Sequence, residues 1–311
     1  MKKILVFAAL TAIALAAMCG MTGCSYFGSV TNDNADKYSV GNTEFTDKIE
    51  NIEIDWSSGS VSVVSHSGNT FMLSEKEEDG IPEDLRVRWW LDGTTLRVKF
   101  AASGAGLRMF DTWHKDLTLT VPEAISLDEV VIRAASAEID AVDLVAETLS
   151  VSTASGNIDI CCEANIIKLD SASGDIQLTQ KGKADEISID TASGKINANL
   201  SQADKAHFES ASGKIKVTAA SVDSLSAKAT SGAVFCELDV TPSECRIRAV
   251  SGEVTLILPD ASDFTANIST TSGDFESDFA LIMDGSTYIC GSGSADIDID
   301  TTSGSVSIWK K

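Results

Sequence analysis

Apolar and polar residues alternate along most of the chain, and the alternation is organised around a recurring Ser-Gly pair. In the copy at Ser193, the apolar or small residues Ile189 and Thr191 precede the serine at every second position, and Ile196 follows it. Charged or polar residues stand between them. A period of two predicts strands with one buried face. The phase of the alternation changes after the Ser-Gly pair, so the chain is predicted to bend there.

The Ser-Gly pair recurs about every twenty residues, which indicates a repeat architecture. The predicted structural turns are Ser155, Gly156, Ser173, Gly174, Ser193, Gly194, Ser212, Gly213, Ser231, Gly232, Ser251, Gly252, Ser272, Gly273, Ser303 and Gly304. Ser136-Ala137 is a degenerate copy, and Ser58-Gly59 is a further one. We expect the serine to be the last inward residue before each bend and the glycine to adopt a left-handed or otherwise restricted conformation.

Each copy is too short to bury its own apolar face, so neighbouring copies must stack. An antiparallel meander would need alternate turns of different character, whereas every copy here has the same turn in the same place. Parallel pairing is therefore favoured, and parallel connections are right-handed. The predicted fold is all-β, a right-handed parallel β-helix (β-solenoid) with rungs of about twenty residues and an N-terminal β cap.

The repeats predict a solenoid over residues 129–311. Residues 45–128 contain a first rung and then depart from the repeat, with strand-like segments and a hairpin turn at Asp92-Gly93. We expect this region to form a β-hairpin cap over the open end of the solenoid. The longer step between Ser272 and Ser303 is interpreted as an insertion before the last rung.

The N-terminus has the pattern of a bacterial lipoprotein signal peptide. Two lysines precede a short apolar stretch, and Met21-Thr22-Gly23-Cys24 resembles a lipobox, in which cleavage before the cysteine leaves it lipidated. Residues 1–23 are therefore predicted to be the signal peptide, Cys24 the lipidation site, and residues 24–44 a flexible tether. The alternative is an ordinary secretory signal with an incidental cysteine.

Charge narrows the choice of partners. The formal net charge of -22 argues against nucleic acid, since phosphates would be repelled. Acyl chains can still hold such a protein at a membrane. The expected location is therefore extracytoplasmic, lipid-anchored to the outer face of the cell membrane or to another envelope membrane.

Candidate chemistry is sparse. Beyond the signal and lipobox, the thiols are Cys161, Cys162, Cys236, Cys245 and Cys290, an odd number that favours small apolar side chains with at most one disulfide. The histidines are scattered and are expected to be solvated. The outward carboxylates are expected to form a solvated acidic face rather than a calcium site: Asp159, Asp170, Asp175, Asp190, Asp274, Asp298 and Asp300. We expect no cofactor and no metal.

The repeat resembles the bacterial putative-adhesin family known as domain of unknown function 4097. The resemblance rests on turns such as Thr191-Ala192-Ser193-Gly194-Lys195-Ile196 and on a Leu-Thr-Leu-Thr-Val-Pro segment at Leu117 to Pro122. It covers residues 45–309. The resemblance implies a β-strand-repeat protein and, by analogy alone, a role in adhesion.

No catalytic cluster accompanies the repeat, because the serines recur equivalently whereas a nucleophile is a single activated residue. The expected function is therefore a non-enzymatic envelope protein, an adhesin or an extracytoplasmic scaffold or sensor that presents a repetitive acidic surface to an envelope glycan or protein. Trp89, Trp90 and Trp113 form a candidate contact surface, the alternative being that the cap covers them. An end-to-end polymerising scaffold and a carbohydrate-active β-helix enzyme remain as other functions.

Overall fold

The computed structural model describes residues 32–76, 81–105 and 115–311. Within these ranges the fold is all-β and solenoid-like, with short 3₁₀ helices at Ala35–Lys37 and Glu83–Leu85 and no α-helix. No helix in these ranges is long and apolar enough to span a membrane. Cys24 and Trp113 lie outside the described residues.

The described residues form two compact units. The first contains the residues up to Ala164 together with Asp170–Ala172, and the second contains Asn165–Leu169 and Ser173–Lys311. The division falls within the repeats, at strand β9 (Ile158–Ser173), which contributes residues to both units.

The N-terminal unit is built around one long strand that has partners along both edges. Its strands are β1 (Ser39–Val40), β2 (Thr43–Phe45), β3 (Asn51–His66), β4 (Phe71–Lys76), β5 (Arg88–Asp92), β6 (Thr95–Lys99), β7 (Lys115–Pro122) and β8 (Leu127–Ser155). Strand β3 pairs in parallel with β8 along one edge and with β6 and β7 along the other. Strands β4 and β5 add antiparallel neighbours to β7 and β6. The predicted hairpin is present, but its turn is Gly93-Thr94, one residue later than the predicted Asp92-Gly93.

The C-terminal unit is a stack of parallel rungs. Its strands are β10 (Ile176–Ser193), β11 (Ile196–Ser212), β12 (Ile215–Ser231), β13 (Val234–Leu238), β14 (Glu244–Ser251), β15 (Val254–Leu258), β16 (Phe264–Ser272), β17 (Phe275–Ser277), β18 (Ile282–Asp284), β19 (Thr287–Cys290), β20 (Ala295–Ser303) and β21 (Val306–Lys310). The register aligns equivalent repeat positions in one ladder: Ile189, Phe208, Ala227, Ile247, Ile299 and Ile268. Inward residues therefore stack on inward residues and form the core.

The rungs do not stack entirely in sequence order. The final rung, β20 with β21, lies between β14 with β15 and β16 with β17. The insertion after β17 forms the antiparallel hairpin β18–β19, and β19 pairs with the outer edge of β16. The chain then enters the stack on the other edge of β16. Rungs that follow each other in the sequence are expected to be neighbours in space, and at this end of the stack that expectation is wrong. The period-two pattern does not specify the neighbour, because it fits any rung whose inward residues are in the same phase.

The Ser-Gly turns differ from the expectation in two ways. The serines, such as Ser193 and Ser212, are exposed, and the last inward residue lies two positions earlier, as Thr191 does. Positive φ is also not the general reason for glycine. Gly59, Gly156, Gly232 and Gly304 have φ values between 97° and 158°, but Gly194 and Gly213 do not have positive φ.

Close backbone stacking explains the glycines instead. A Cβ atom on Gly194 would lie 2.0 Å from the carbonyl oxygen of Gly174, and one on Gly213 would lie 1.8 Å from that of Gly194. Side chains at these positions would push neighbouring turns apart. The turns therefore pack backbone on backbone.

Candidate contact surface

Stacked turns create a shallow open groove along the C-terminal unit. We call it the turn groove, and it is lined by Asp175, Ser193, Gly194, Lys195, Ser212, Gly213, Lys214, Ser231 and Gly232. Its floor is backbone, because the glycines lack side chains that would fill it. Ser212 and Ser231 are direct register partners, so their exposed hydroxyls repeat at the strand spacing of about 4.8 Å.

Charged residues follow the glycines in three successive turns of this groove: Asp175, Lys195 and Lys214. The backbone N–H of Lys195 donates to Asp175 Oδ1 at 2.8 Å, and the Lys195 Nζ lies 3.9 Å from Asp175 Oδ2. Both side chains are well exposed, so this pair adds little stability. The groove thus combines aligned hydroxyls with exposed charge, an arrangement suited to a polar ligand that runs along the stack.

Sequence reasoning named the serines and glycines of this groove as structural turns and did not recognise the surface they form. The available signal was the residue after each Ser-Gly pair, which is charged in three consecutive copies. The sequence pattern did not predict that the serines point outward. They do so because the chain bends at the serine, which ends the alternation of inward and outward residues two positions earlier.

The predicted aromatic surface is partly covered by the N-terminal unit itself. Trp89 packs edge-on against Phe45, with ring centroids 4.9 Å apart, and Trp90 packs against Tyr38 at 5.8 Å. The Lys37 Nζ lies 4.5 Å from the centroid of the Trp90 ring. Both tryptophans are half-buried. Their role as a contact surface stays a prediction, and Trp113 lies outside the described residues.

The five cysteines predicted to be small apolar side chains are all unbridged, and four are buried: Cys162, Cys236, Cys245 and Cys290. Burial raises the pKa of the Cys162 and Cys236 thiols to about 12. Burial, together with the neighbouring Cys236, also raises the pKa of the Cys245 thiol well above its usual value. Thiols are nucleophilic as thiolates, so these three are poorly suited to catalysis.

Parallel rungs, aligned turns and an exposed polar groove define a solenoid-like protein of β-strand repeats. The chain belongs to the Toastrack DUF4097 family, whose profile matches residues 49–309.

Three solved structures are similar to the chain. A putative adhesin from Parabacteroides distasonis is 14% identical with a TM-score of 0.43, and one from Bacteroides fragilis is 11% identical with a TM-score of 0.42; each comparison covers 87% of this chain and 97% of the other. A putative cell adhesion protein from Clostridium sporogenes is 10% identical with a TM-score of 0.23, covering 88% of this chain and 100% of the other. Likenesses this low carry no functional argument. No curated protein matches the chain.

Proposed function

We propose that this protein is a non-enzymatic, membrane-anchored envelope lipoprotein that acts as an adhesin or extracytoplasmic scaffold by binding a glycan along the turn groove. The observation that carries the proposal is the row of exposed serine hydroxyls at strand spacing, with Lys195 and Lys214 beside it. A glycan chain presents hydroxyl and carboxylate groups at regular intervals. Aligned hydroxyls and ammonium groups can donate to those oxygens.

The finer architecture that we propose is a right-handed β-helix closed by an N-terminal cap. Parallel rungs joined by short connections favour the right-handed form. The antiparallel strands β4 and β5 lie beside β7 and β6 in the N-terminal unit, so the outer edges of that sheet are paired. Such pairing protects a sheet edge from unwanted association.

A non-enzymatic role is supported by the character of the reactive groups. The serines of the turn groove are equivalent from rung to rung, so no single hydroxyl is set apart as a nucleophile. The thiols of Cys162, Cys236 and Cys245, whose pKa values are raised, are buried. Turnover of an envelope polysaccharide by the purified chain would favour the carbohydrate-active alternative.

Replacing Cys24 with alanine is expected to abolish lipid attachment, because the predicted acyl acceptor is the thiol of Cys24. The variant should move from the membrane fraction to the soluble extracytoplasmic fraction and lose incorporation of labelled fatty acid. Cys19 to alanine is the matched control and should leave both unchanged. Labelling that persists in the Cys24 variant would place the anchor elsewhere.

Ligand binding along the turn groove is expected to depend on its lysines. The double substitution Lys195→Ser and Lys214→Ser should weaken binding to glycan arrays or purified cell-wall fragments by about a hundredfold, because each of the two lost hydrogen bonds to a charged group costs about 1.5 kcal/mol. The assay uses the full chain purified in detergent. Lys183→Ser with Lys205→Ser is the control: it removes the same charge at residues that do not line the groove.

Equal weakening by the two double variants would show that net charge, and not the groove, determines binding. Failure of the unmodified chain to bind any glycan or cell-wall fragment would contradict the proposal itself.

One observation favours end-to-end assembly as a second candidate. Strand β18 pairs only with β19 among the described strands, and its residues Ile282 and Met283 are 69% and 65% exposed. An exposed apolar edge strand is a surface on which another strand can add. Filaments whose light scattering rises with protein concentration would support this role, and a monomer at all concentrations would exclude it.

A further inference from the structure

Strands β10 and β11 bring one histidine and two carboxylates together on the outward face of the C-terminal unit. Asp190 on β10 is the direct register partner of Glu209 on β11, and His207 lies two residues before Glu209, on the same face of its strand. The His207 Nε2 is 4.0 Å from Asp190 Oδ1 and 3.9 Å from Glu209 Oε2. All three ligand atoms lie within 4.8 Å of one another, and the three residues are half-buried.

Neighbouring side chains orient both carboxylates. The Ser188 hydroxyl donates to Asp190 Oδ2 at 3.1 Å, and the Lys228 ammonium donates to Glu209 Oε1 at 2.6 Å. In each carboxylate the supported oxygen is therefore the one that faces away from His207. Polar partners of this kind position the ligands of metal sites.

The geometry points to a zinc site: we propose that Asp190, His207 and Glu209 bind one Zn²⁺ ion on the face of β10 and β11. Zinc takes imidazole nitrogen and carboxylate oxygen at about 2.0 to 2.2 Å, which places tetrahedral ligand atoms about 3.4 Å apart. The two separations from His207 exceed this by about half an ångström, and the two carboxylate oxygens lie within 4.8 Å of each other. Side-chain rotations can bring all three ligand atoms to the zinc distance. Three protein ligands leave the fourth position for water or for a group of a bound partner.

The donor set also selects among cations. Calcium and magnesium prefer sites made of oxygen alone, so an imidazole between two carboxylates favours zinc over either. Lys228 contacts Glu209, and Lys168 contributes positive charge near Asp190. These cations oppose the charge of the ion, so the affinity is expected to be moderate.

The test is a calorimetric titration of the full chain, purified in detergent and stripped with a chelator, using ZnCl₂ alone. We expect saturable binding with one ion per chain at this site and no competition from an equal concentration of Ca²⁺. His207→Ala should weaken that binding by about tenfold or more, the loss seen when metal sites lose even a supporting group. His66→Ala is the matched control. His66 and Thr70 both belong to the N-terminal unit, where the His66 ring contacts the carbonyl oxygen of Thr70. His66 belongs to no cluster of metal ligands among the described residues.

A second variant and a spectroscopic signal keep the test decisive. Asp190→Asn keeps the size of the side chain and should weaken zinc binding as His207→Ala does, with an unchanged circular dichroism spectrum. Co²⁺ in place of zinc should give visible absorption that both variants lose and that His66→Ala keeps. Two results would overturn the proposal in favour of a non-specific acidic surface. One is weak binding of several zinc ions per chain with an equally strong binding of Ca²⁺, and the other is zinc binding that neither variant alters.

Discussion

Replacing Glu75 with alanine is expected to lower the free energy of unfolding by about 3 to 5 kcal/mol, because the substitution removes the carboxylate that is paired with a buried ammonium. Lys115 is 0% exposed, and its Nζ lies 2.6 Å from Glu75 Oε1. The same ammonium also donates to the carbonyl oxygens of Leu85 and Phe100. These carbonyls carry no charge, so they cannot replace the carboxylate. The measurement is urea denaturation followed by circular dichroism.

Two comparisons test this explanation. Glu50→Ala removes the partner of Lys48 in an exposed ion pair and should change stability far less, because exposed ion pairs contribute little. Glu75→Leu combined with Lys115→Met removes both buried charges, so it should retain more stability than Glu75→Ala. If Glu75→Ala costs no more than Glu50→Ala, the buried pair is not what holds β4 and β7 together.

The burial of Lys115 could not be predicted from the sequence alone. Lys115 is in phase with Leu117, Leu119 and Val121, so the alternation itself places its side chain on the inward face. A lysine at the end of a strand is ordinarily interpreted as solvated, because burial needs a partner. That partner, Glu75, lies on β4, which pairs antiparallel with β7. Only the tertiary pairing brings the two charges together.

The residue Trp56 in the first rung also departs from the repeat because of a tertiary contact. Trp56 stands where later copies have a small inward residue. In the structure it lies against Phe100, with ring centroids 5.0 Å apart, and its Nε1 donates to the carbonyl oxygen of Lys115 at 3.2 Å. The space it fills is next to residues outside the repeat. The repeat alone therefore could not explain its size.

Local pattern was sufficient for the strands and for the positions of the turns, but it was insufficient for the orientation of the turn serines and for the order of the rungs. The alternation of Ile187, Ile189 and Thr191 specifies which side chains are inward, and all three are buried. Rung order depends on the path of the chain between rungs. The β18–β19 hairpin determines it at the C-terminal end, where nothing in the period of β20 distinguishes one neighbouring rung from another.

Gly213→Ala is expected to destabilise the C-terminal unit by about 3 kcal/mol or more, because the added methyl group has no space. Its Cβ would lie 1.8 Å from the carbonyl oxygen of Gly194 and 2.6 Å from the carbonyl carbon. Both are backbone atoms of the adjacent turn, so the clash cannot be relieved by rotating a side chain. The turns must separate, which stretches the hydrogen bond of 2.9 Å from the Ile196 N–H to the Lys214 carbonyl oxygen.

Gly285→Ala separates this steric cost from the cost of backbone conformation. Gly285 has a φ of 63° in the β18–β19 hairpin, and an added Cβ would meet nothing within 4 Å. Its substitution should therefore cost only the strain of an alanine in the left-handed conformation, about 1 to 2 kcal/mol.

Hydrogen exchange should also differ between the two variants, since rungs interact with adjacent rungs. Gly213→Ala should increase exchange in β10, β11 and β12 and leave β16 and β20 comparatively protected. Equal costs for the two substitutions, or exchange that increases throughout the unit, would contradict close turn stacking as the reason for glycine.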